Sequence, residues 1–137
     1  MHRTTPCVGI CSTTYGDLIC RGCKRFAHEI VQWNGYEDDQ RDAIWRRLRE
    51  LRDGSVAQLV SRVQVDALVE RADELKVRHD RAMTVYAVAY DVLCRLVLRQ
   101  LPLPNEGSSR ELLSRIDKEY YRRSRAHYER NFRIAAE

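Results

Sequence analysis

The sequence predicts an all-α protein that begins with a small four-cysteine loop, followed by about five helices of which the last is long. Apolar residues recur at helical spacing in several segments of the 137-residue chain, and no convincing period-2 alternation predicts a strand. The second observation is that four of the five cysteines fall in two close pairs near the N-terminus. These pairs predict a metal-binding module attached to helices.

The candidate metal ligands are spaced as a four-thiolate site requires. They are Cys7, Cys11, Cys20 and Cys23. Gly9 and Gly22 lie within the two short loops and allow the backbone to turn tightly beside the ligands. Arg21, Lys24 and Arg25 add positive charge nearby, which favours thiolate over thiol. The spacing fits Zn²⁺, and it also fits an iron–sulfur cluster, whose ligands are likewise cysteine thiolates.

Three other interpretations of these cysteines are weaker. Structural disulfides need an oxidising compartment, yet residues 1–25 contain no apolar run of a secretory signal, and Cys94 makes the count odd. A thioredoxin-like redox pair at Cys20 and Cys23 belongs on a βαβ unit, and no strand pattern precedes it. His28 is close enough in sequence to replace a ligand, but with four thiolates available it is expected on the exposed side of the first helix.

The same stretch resembles a small bacterial family, domain of unknown function 1289, over about residues 5–50. The residues that carry the resemblance are Pro6-Cys7, Gly9, Cys11, Cys20, Gly22-Cys23, Arg25, Glu29-Ile30, Trp33 and Trp45. The family is usually labelled as predicted iron–sulfur proteins, so the resemblance implies that the four cysteines are ligands, without fixing the metal or an activity. This chain departs from the family pattern at Phe26, where a small hydroxyl residue usually caps the following helix.

Composition predicts a soluble, mildly basic protein, with 32% charged residues and a formal net charge of +4. This balance permits contact with nucleic acid or an acidic partner. The most apolar run, residues 83–101, is interrupted by Asp91, Arg95 and Arg99, so no membrane span is expected. We therefore expect a reducing bacterial cytoplasm as the location.

The first two helices are predicted from apolar faces and end signals. Phe26, Ile30 and Trp33 share one helical face, and Asn34-Gly35 provides a stop. Acidic residues 37–39 then favour the start of a second helix, which we expect to end at Gly54.

The remaining helices follow from capping boxes and a proline-rich break. Ser55 to Gln58 predicts the start of a third helix through about Arg78, and a strongly apolar fourth helix is expected from about Arg81 to Gln100. The weak break between them falls near His79-Asp80. Two prolines and a glycine make residues 102–107 a linker, after which Ser108 and Glu111 predict a capping box for the long last helix.

These elements suggest a metal-binding module at residues 1–54, a helical core at 55–101, the linker at 102–107, and a basic and aromatic helix at 108–137. On that helix, the candidate contacts for nucleic acid or another partner are Arg115, Lys118, Arg122, Arg125, Arg133, Tyr121 and Tyr128. Glu111, Glu119 and Glu129 each precede an arginine by four residues, so a salt-bridged solvated helix explains much of the same charge.

No nucleophile motif or phosphate-binding glycine loop is present, so we expect no enzyme activity and infer no small-molecule substrate. The leading hypothesis is a metal-binding adaptor or regulatory protein in which the cysteine loop, with Zn²⁺, is structural and the helical surface binds a protein partner. The alternatives are an iron–sulfur electron carrier or redox sensor, and a nucleic-acid-binding regulator that uses the C-terminal helix.

Overall fold

The computed structural model describes residues 5–9 and 11–133, and over these ranges the protein is all-α, as predicted. The five α-helices are α1 (Ala27–Gln32), α2 (Asp38–Leu59), α3 (Arg62–Glu70), α4 (Val85–Leu98) and α5 (Ser109–Tyr128). Short 3₁₀ turns occupy Ser12–Tyr15 and Trp33–Gly35, and a π-helical turn, Glu129–Arg133, continues α5. No strand occurs in the described ranges, and the long last helix is confirmed.

The chain groups into two compact units. Unit 1 contains the described residues of 1–51 together with those of 120–137, and unit 2 is Arg52–Glu119. Helices α2 and α5 therefore each contribute residues to both units. The sequence-based division at residues 54, 101 and 107 stays a prediction.

The expected boundary at Gly54 and Ser55 is wrong, because α2 continues without interruption to Leu59. A glycine inside a helix costs only about 1 kcal/mol relative to alanine, and the burial of Val56 in the core of unit 2 offsets that cost. The capping residue of the next helix is Ser61, whose hydroxyl accepts a hydrogen bond from the Gln64 N–H at 3.2 Å.

The break between the third and fourth helices is wider than predicted. Helix α3 ends at Glu70 instead of about Arg78, and α4 begins at Val85, capped by Thr84, whose hydroxyl accepts from the Ala87 N–H at 3.0 Å. Leu75 and Val77 lie in the intervening segment but are buried in the core. Leu75 extends the apolar pattern past Glu70, where α3 ends, and for this reason the pattern predicted a longer helix than the structure has.

The core of unit 2 forms where α3 packs on α4. Val65 and Leu68 of α3 are fully buried, as are Val92 and Leu96 of α4. The predicted cap of α5 is present, since the Glu111 N–H donates to the Ser108 hydroxyl at 3.2 Å.

Unit 1 contains the cysteine loop, α1 and a smaller apolar cluster. Trp33, Ile44, Leu48 and Tyr120 are its buried members. Phe26 lies at the N-cap position of α1 and offers no hydroxyl, but the other half of the capping arrangement remains: the Glu29 carboxylate accepts from the Phe26 N–H at 2.8 Å. The departure from the family pattern therefore does not prevent this helix from starting at Ala27.

Candidate metal centre

A tight hairpin presents the second cysteine pair. The Ala27 N–H donates to the Leu18 carbonyl at 2.8 Å, and the Cys20 N–H donates to the Arg25 carbonyl at 2.9 Å. The chain reverses between these bonds through a turn closed by the Lys24 N–H and the Cys20 carbonyl, also 2.9 Å apart. Because this backbone pairing fixes both arms, the side chains of the cysteine pair are held in the interior of unit 1: Cys20 is 1% exposed.

The Cys20 sulfur lies among peptide N–H groups. Those of Ser12, Gly22 and Cys23 form hydrogen bonds with it. Burial is the largest influence on this thiol and raises its pKa, but the hydrogen bonds together outweigh burial, so the pKa of Cys20 lies below its ordinary value. The surroundings of this sulfur therefore favour a thiolate, which is the form that binds metal.

Cys11 and Cys23 both experience the charge of Cys20, which raises the pKa of each thiol. Hydrogen bonding to the Thr13 hydroxyl, 2.9 Å from the Cys11 sulfur, nonetheless lowers the pKa of Cys11 overall. For Cys23, burial dominates and raises the pKa, although the Arg25 Nε donates to its sulfur at 3.3 Å. The charge of Cys20 thus acts on one thiol of each cysteine pair.

Cys7 is exposed, and its sulfur accepts a hydrogen bond from the Gly9 N–H at 3.4 Å. Gly9 has a φ of +92°, a conformation that glycine adopts without strain. In residues 5–9 and 11–133, no three His, Cys, Asp or Glu side chains are gathered closely enough to hold a metal ion. The donor chemistry still fits a thiolate-bound metal, because peptide N–H groups lower the pKa of the Cys20 thiol and three further cysteines lie in the same part of the sequence.

Two cations are buried beside the cysteine pair. Lys24 is 1% exposed and Arg25 is 4% exposed. The Arg25 guanidinium also lies over the Trp33 ring, 5.0 Å from its centroid, in addition to its bond to Cys23. The sequence predicted positive charge near the ligands but gave no signal that these two side chains are buried. Arg21, the third predicted cation, pairs instead with Asp17 at 3.4 Å on the surface.

An ion pair that sequence reasoning missed supports the cysteine hairpin. Arg47 of α2 binds the buried Glu29 carboxylate, and its guanidinium also lies 4.1 Å from the centroid of the Phe26 ring. Phe26 is fully buried and lies in the second arm of the hairpin, paired with Ile19. The sequence pointed to Glu29 only through the Glu-Ile pair of the family resemblance. That pair does not indicate that Arg47 binds the Glu29 carboxylate.

His28 belongs to an aromatic cluster, which consists of Phe26, His28, His127, Tyr128 and Phe132. The ring centroid of His28 lies 5.9 Å from that of Phe26 and 5.1 Å from that of Phe132. The side chain is half-buried there, more covered than the sequence suggested.

The fifth cysteine, Cys94, lies in unit 2. Burial, followed by the Asp91 charge, raises the pKa of its thiol to about 11. This environment suits the inert apolar role expected from the sequence.

The candidate contact residues on α5 differ in their surroundings. Arg115, Lys118, Arg122 and Arg125 are exposed, and Arg125 also pairs with Glu129 at 3.4 Å. The two tyrosines are engaged within unit 1: the Arg21 guanidinium lies 4.7 Å from the Tyr121 centroid, and Tyr128 packs edge-on against Phe26. The side chain of Arg133 lies outside the described residues. Nucleic-acid contact through α5 stays a prediction.

In the part of the chain that the structure describes, no helix combines the length and apolar character needed to cross a membrane.

Comparison with known proteins gives one match. No curated protein and no solved structure gives a significant match. Residues 5–52 match the family model described as Protein of unknown function (DUF1289), so the resemblance predicted for the N-terminal part of the chain is confirmed.

Proposed function

We propose that Cys7, Cys11, Cys20 and Cys23 bind one metal ion, and that the protein is a non-enzymatic adaptor or regulator whose helical surface binds a protein partner. The environment of Cys20 is the observation that supports the metal site most directly. Three peptide N–H groups surround its sulfur, and its charge acts on Cys11 and Cys23. Hydrogen bonds from peptide N–H groups stabilise the thiolate, which is the form of cysteine that binds metal.

The buried cations support the same proposal. A divalent ion with four thiolates carries a net charge of −2, which Lys24 and Arg25 would offset. Positive charge beside a thiol stabilises the thiolate form, so two buried cations beside two buried cysteines favour thiolates there.

Zn²⁺ is the metal that we propose, because a closed four-thiolate site suits a structural role. The ion would supply a cross-link between the segment of Cys7 and Cys11 and the hairpin of Cys20 and Cys23. Cys7 is exposed, so we expect its side chain to become buried against the hairpin when metal binds. The adaptor role then belongs to the helices, with the metal loop fixing the start of α1.

An iron–sulfur cluster is the alternative, favoured by the same hydrogen bonds. N–H groups directed at Cys20 and the Arg25 guanidinium at Cys23 would stabilise the extra negative charge of a reduced cluster. In that case the protein would be an electron carrier or a redox sensor, and its function would lie in the cysteine loop.

Elemental analysis with a visible spectrum, on protein purified without oxygen, tests both. One zinc per chain and a colourless solution would support the structural site. Iron with acid-labile sulfide would support the cluster. Cys94→Ser is the matched control, since it removes a thiol from unit 2 and should leave the metal content unchanged, whereas Cys20→Ser should abolish it. Absence of both metals from the wild-type protein, with no uptake on reconstitution, would overturn the proposal.

A further inference from the structure

The ammonium group of Lys24 bonds to the loop between the two buried cysteines. Its Nζ donates to the Arg21 carbonyl at 2.5 Å and to the Gly22 carbonyl at 3.0 Å. Arg21 and Gly22 are the two residues that separate Cys20 from Cys23. Lys24 therefore holds both carbonyl groups within this loop.

The opposite sides of the same peptide groups face the Cys20 sulfur. The Arg21 carbonyl shares a planar peptide with the Gly22 N–H, and the Gly22 carbonyl shares one with the Cys23 N–H. In a trans peptide the C=O and the N–H point in opposite directions, and the structure contains no cis peptide among the described residues. Both of these N–H groups form hydrogen bonds with the Cys20 sulfur.

We propose that Lys24 is a positioning residue for the metal site: by holding the carbonyl ends of two peptide groups, its ammonium directs their N–H ends at the Cys20 sulfur. This inference rests on the proposed metal-binding function and assigns a role in it to a side chain that binds no metal. A cation on a carbonyl oxygen also polarises the peptide, which strengthens the hydrogen bond that the N–H donates.

The surroundings of Lys24 keep the ammonium in place. The side chain is 1% exposed, and its Nζ lies 5.1 Å from the centroid of the Tyr120 ring, within range of a cation–π interaction. The backbone at Lys24 has a φ of +68°, and its N–H closes the hairpin turn by donating to the Cys20 carbonyl. A non-glycine residue in this conformation is uncommon, and glycine would adopt it with less strain.

The test compares Lys24→Met, which keeps the length of the side chain and removes its charge, with Lys24→Gly, which also relieves the backbone. Lys76→Met is the matched control, since Lys76 also has a positive φ, +59°, but lies in unit 2. Amide hydrogen exchange at Gly22 and Cys23, measured by NMR on metal-free protein, reports the orientation of the two peptides without any metal. Zinc affinity, measured by competition with a chelator, reports the consequence for the site.

We expect both Lys24 variants to exchange faster at Gly22 and Cys23 and to bind zinc about 10- to 100-fold more weakly, the usual effect of removing an outer contact of a metal site. The control should match wild type in both measurements. Unchanged exchange at these amides in Lys24→Met would overturn the inference, whether or not zinc binds. If exchange changes as expected but wild type takes up no metal, the positioning role stands and the proposed function fails. If amide exchange and zinc affinity change in Lys24→Gly but not in Lys24→Met, the aliphatic part of the side chain matters and its charge does not. That result would also overturn the inference.

Discussion

Arg47 holds the Glu29 carboxylate with two hydrogen bonds, from Nη1 to Oε2 and from Nη2 to Oε1, each 2.6 Å long. Oε1 also accepts from the Phe26 N–H at 2.8 Å. The carboxylate therefore caps α1 and binds α2 at the same time. Its side chain is 5% exposed, so its negative charge depends on these partners and has little contact with water.

Replacing Arg47 with methionine should lower the free energy of unfolding by about 3 kcal/mol, because it leaves the buried Glu29 carboxylate without its cation. Denaturant titration measures the change. The control is Arg62→Met, which breaks the exposed pair with Asp66 in α3 and should cost less than about 1 kcal/mol. Equal losses in the two variants would contradict a special role for the buried pair.

Replacing Cys20 or Cys23 with serine should abolish stoichiometric metal binding and lower the melting temperature of the metal-loaded protein. The reason is that bound metal contributes to stability only where its ligands are intact. Metal analysis and thermal unfolding with and without a chelator provide the measurement. Retained metal together with an unchanged melting profile would refute the assignment of these ligands.

Stability should fall as pH rises from about 9 to about 11 through the Cys94 thiol. Its folded pKa of about 11 lies above the ordinary 9.0, so the folded protein keeps a proton that the unfolded chain loses. The contribution is complete below pH 9 and is lost as pH passes through the folded pKa. Denaturant titration of wild type and Cys94→Ala across this pH range gives the difference between their free energies of unfolding. The part of that difference that changes with pH is the contribution of the Cys94 thiol. A difference that stays constant across this pH range would argue against the raised pKa of Cys94.

Acid should weaken unit 1 through His127. Burial is the main cause of the lowered pKa of this imidazole, and the charges of Arg47 and Arg130 add to it. Since the folded pKa lies below the ordinary 6.5, the stabilising contribution is present above pH 6.5 and is lost as pH falls through the folded value.

Comparison with His127→Phe should reveal this effect, because the variant keeps a ring against Phe26 and cannot titrate. We expect wild type to lose stability relative to the variant below pH 6.5 in denaturant unfolding. His79→Phe, a histidine change in unit 2, is the control. Parallel pH profiles for wild type and His127→Phe would remove this histidine from the acid response.

Ser61→Ala should destabilise the protein by about 1 kcal/mol, since it removes the side-chain cap of α3. Ser114→Ala, at an exposed position inside α5, is the control and should be neutral or slightly stabilising, because alanine is the better helix former. Chemical denaturation of both variants gives the comparison. A neutral Ser61→Ala would argue that α3 does not start where the structure places it.

The sequence predicted the fold class correctly because helical periodicity is a local property. The ligand candidates rest on local spacing too, and they stay a prediction. Helical periodicity and cysteine separation are properties of nearby residues, and the all-α fold with a long last helix agrees with them. Helix ends were less accurate, since tertiary burial decided them: Val56 is buried in the core, and α2 runs past Gly54. Local capping signals predicted a start at Ser55 that this burial overrides.

Sequence patterns over short segments did not predict the contacts around the candidate site. Glu29 and Arg47 are 18 residues apart, and nothing in their own segments indicates that they pair. Lysine is usually found on the surface, and the sequence does not indicate that Lys24 is buried. Its neighbour Tyr120 lies far from it in the sequence. Such contacts depend on how distant segments meet, and a single sequence does not encode that in any pattern of spacing.

Unit 1 is assembled from both ends of the described chain, and this has a consequence for biosynthesis. Tyr120, Tyr128 and Phe132 cover Lys24 and Phe26, but they are translated about a hundred residues later. Residues 5–52 therefore emerge from the ribosome without the side chains that complete their core, whereas every residue of unit 2 has been made before those side chains appear. During that interval Lys24 and Phe26 lack these neighbours, so unit 1 is completed only after the whole of unit 2 has been made.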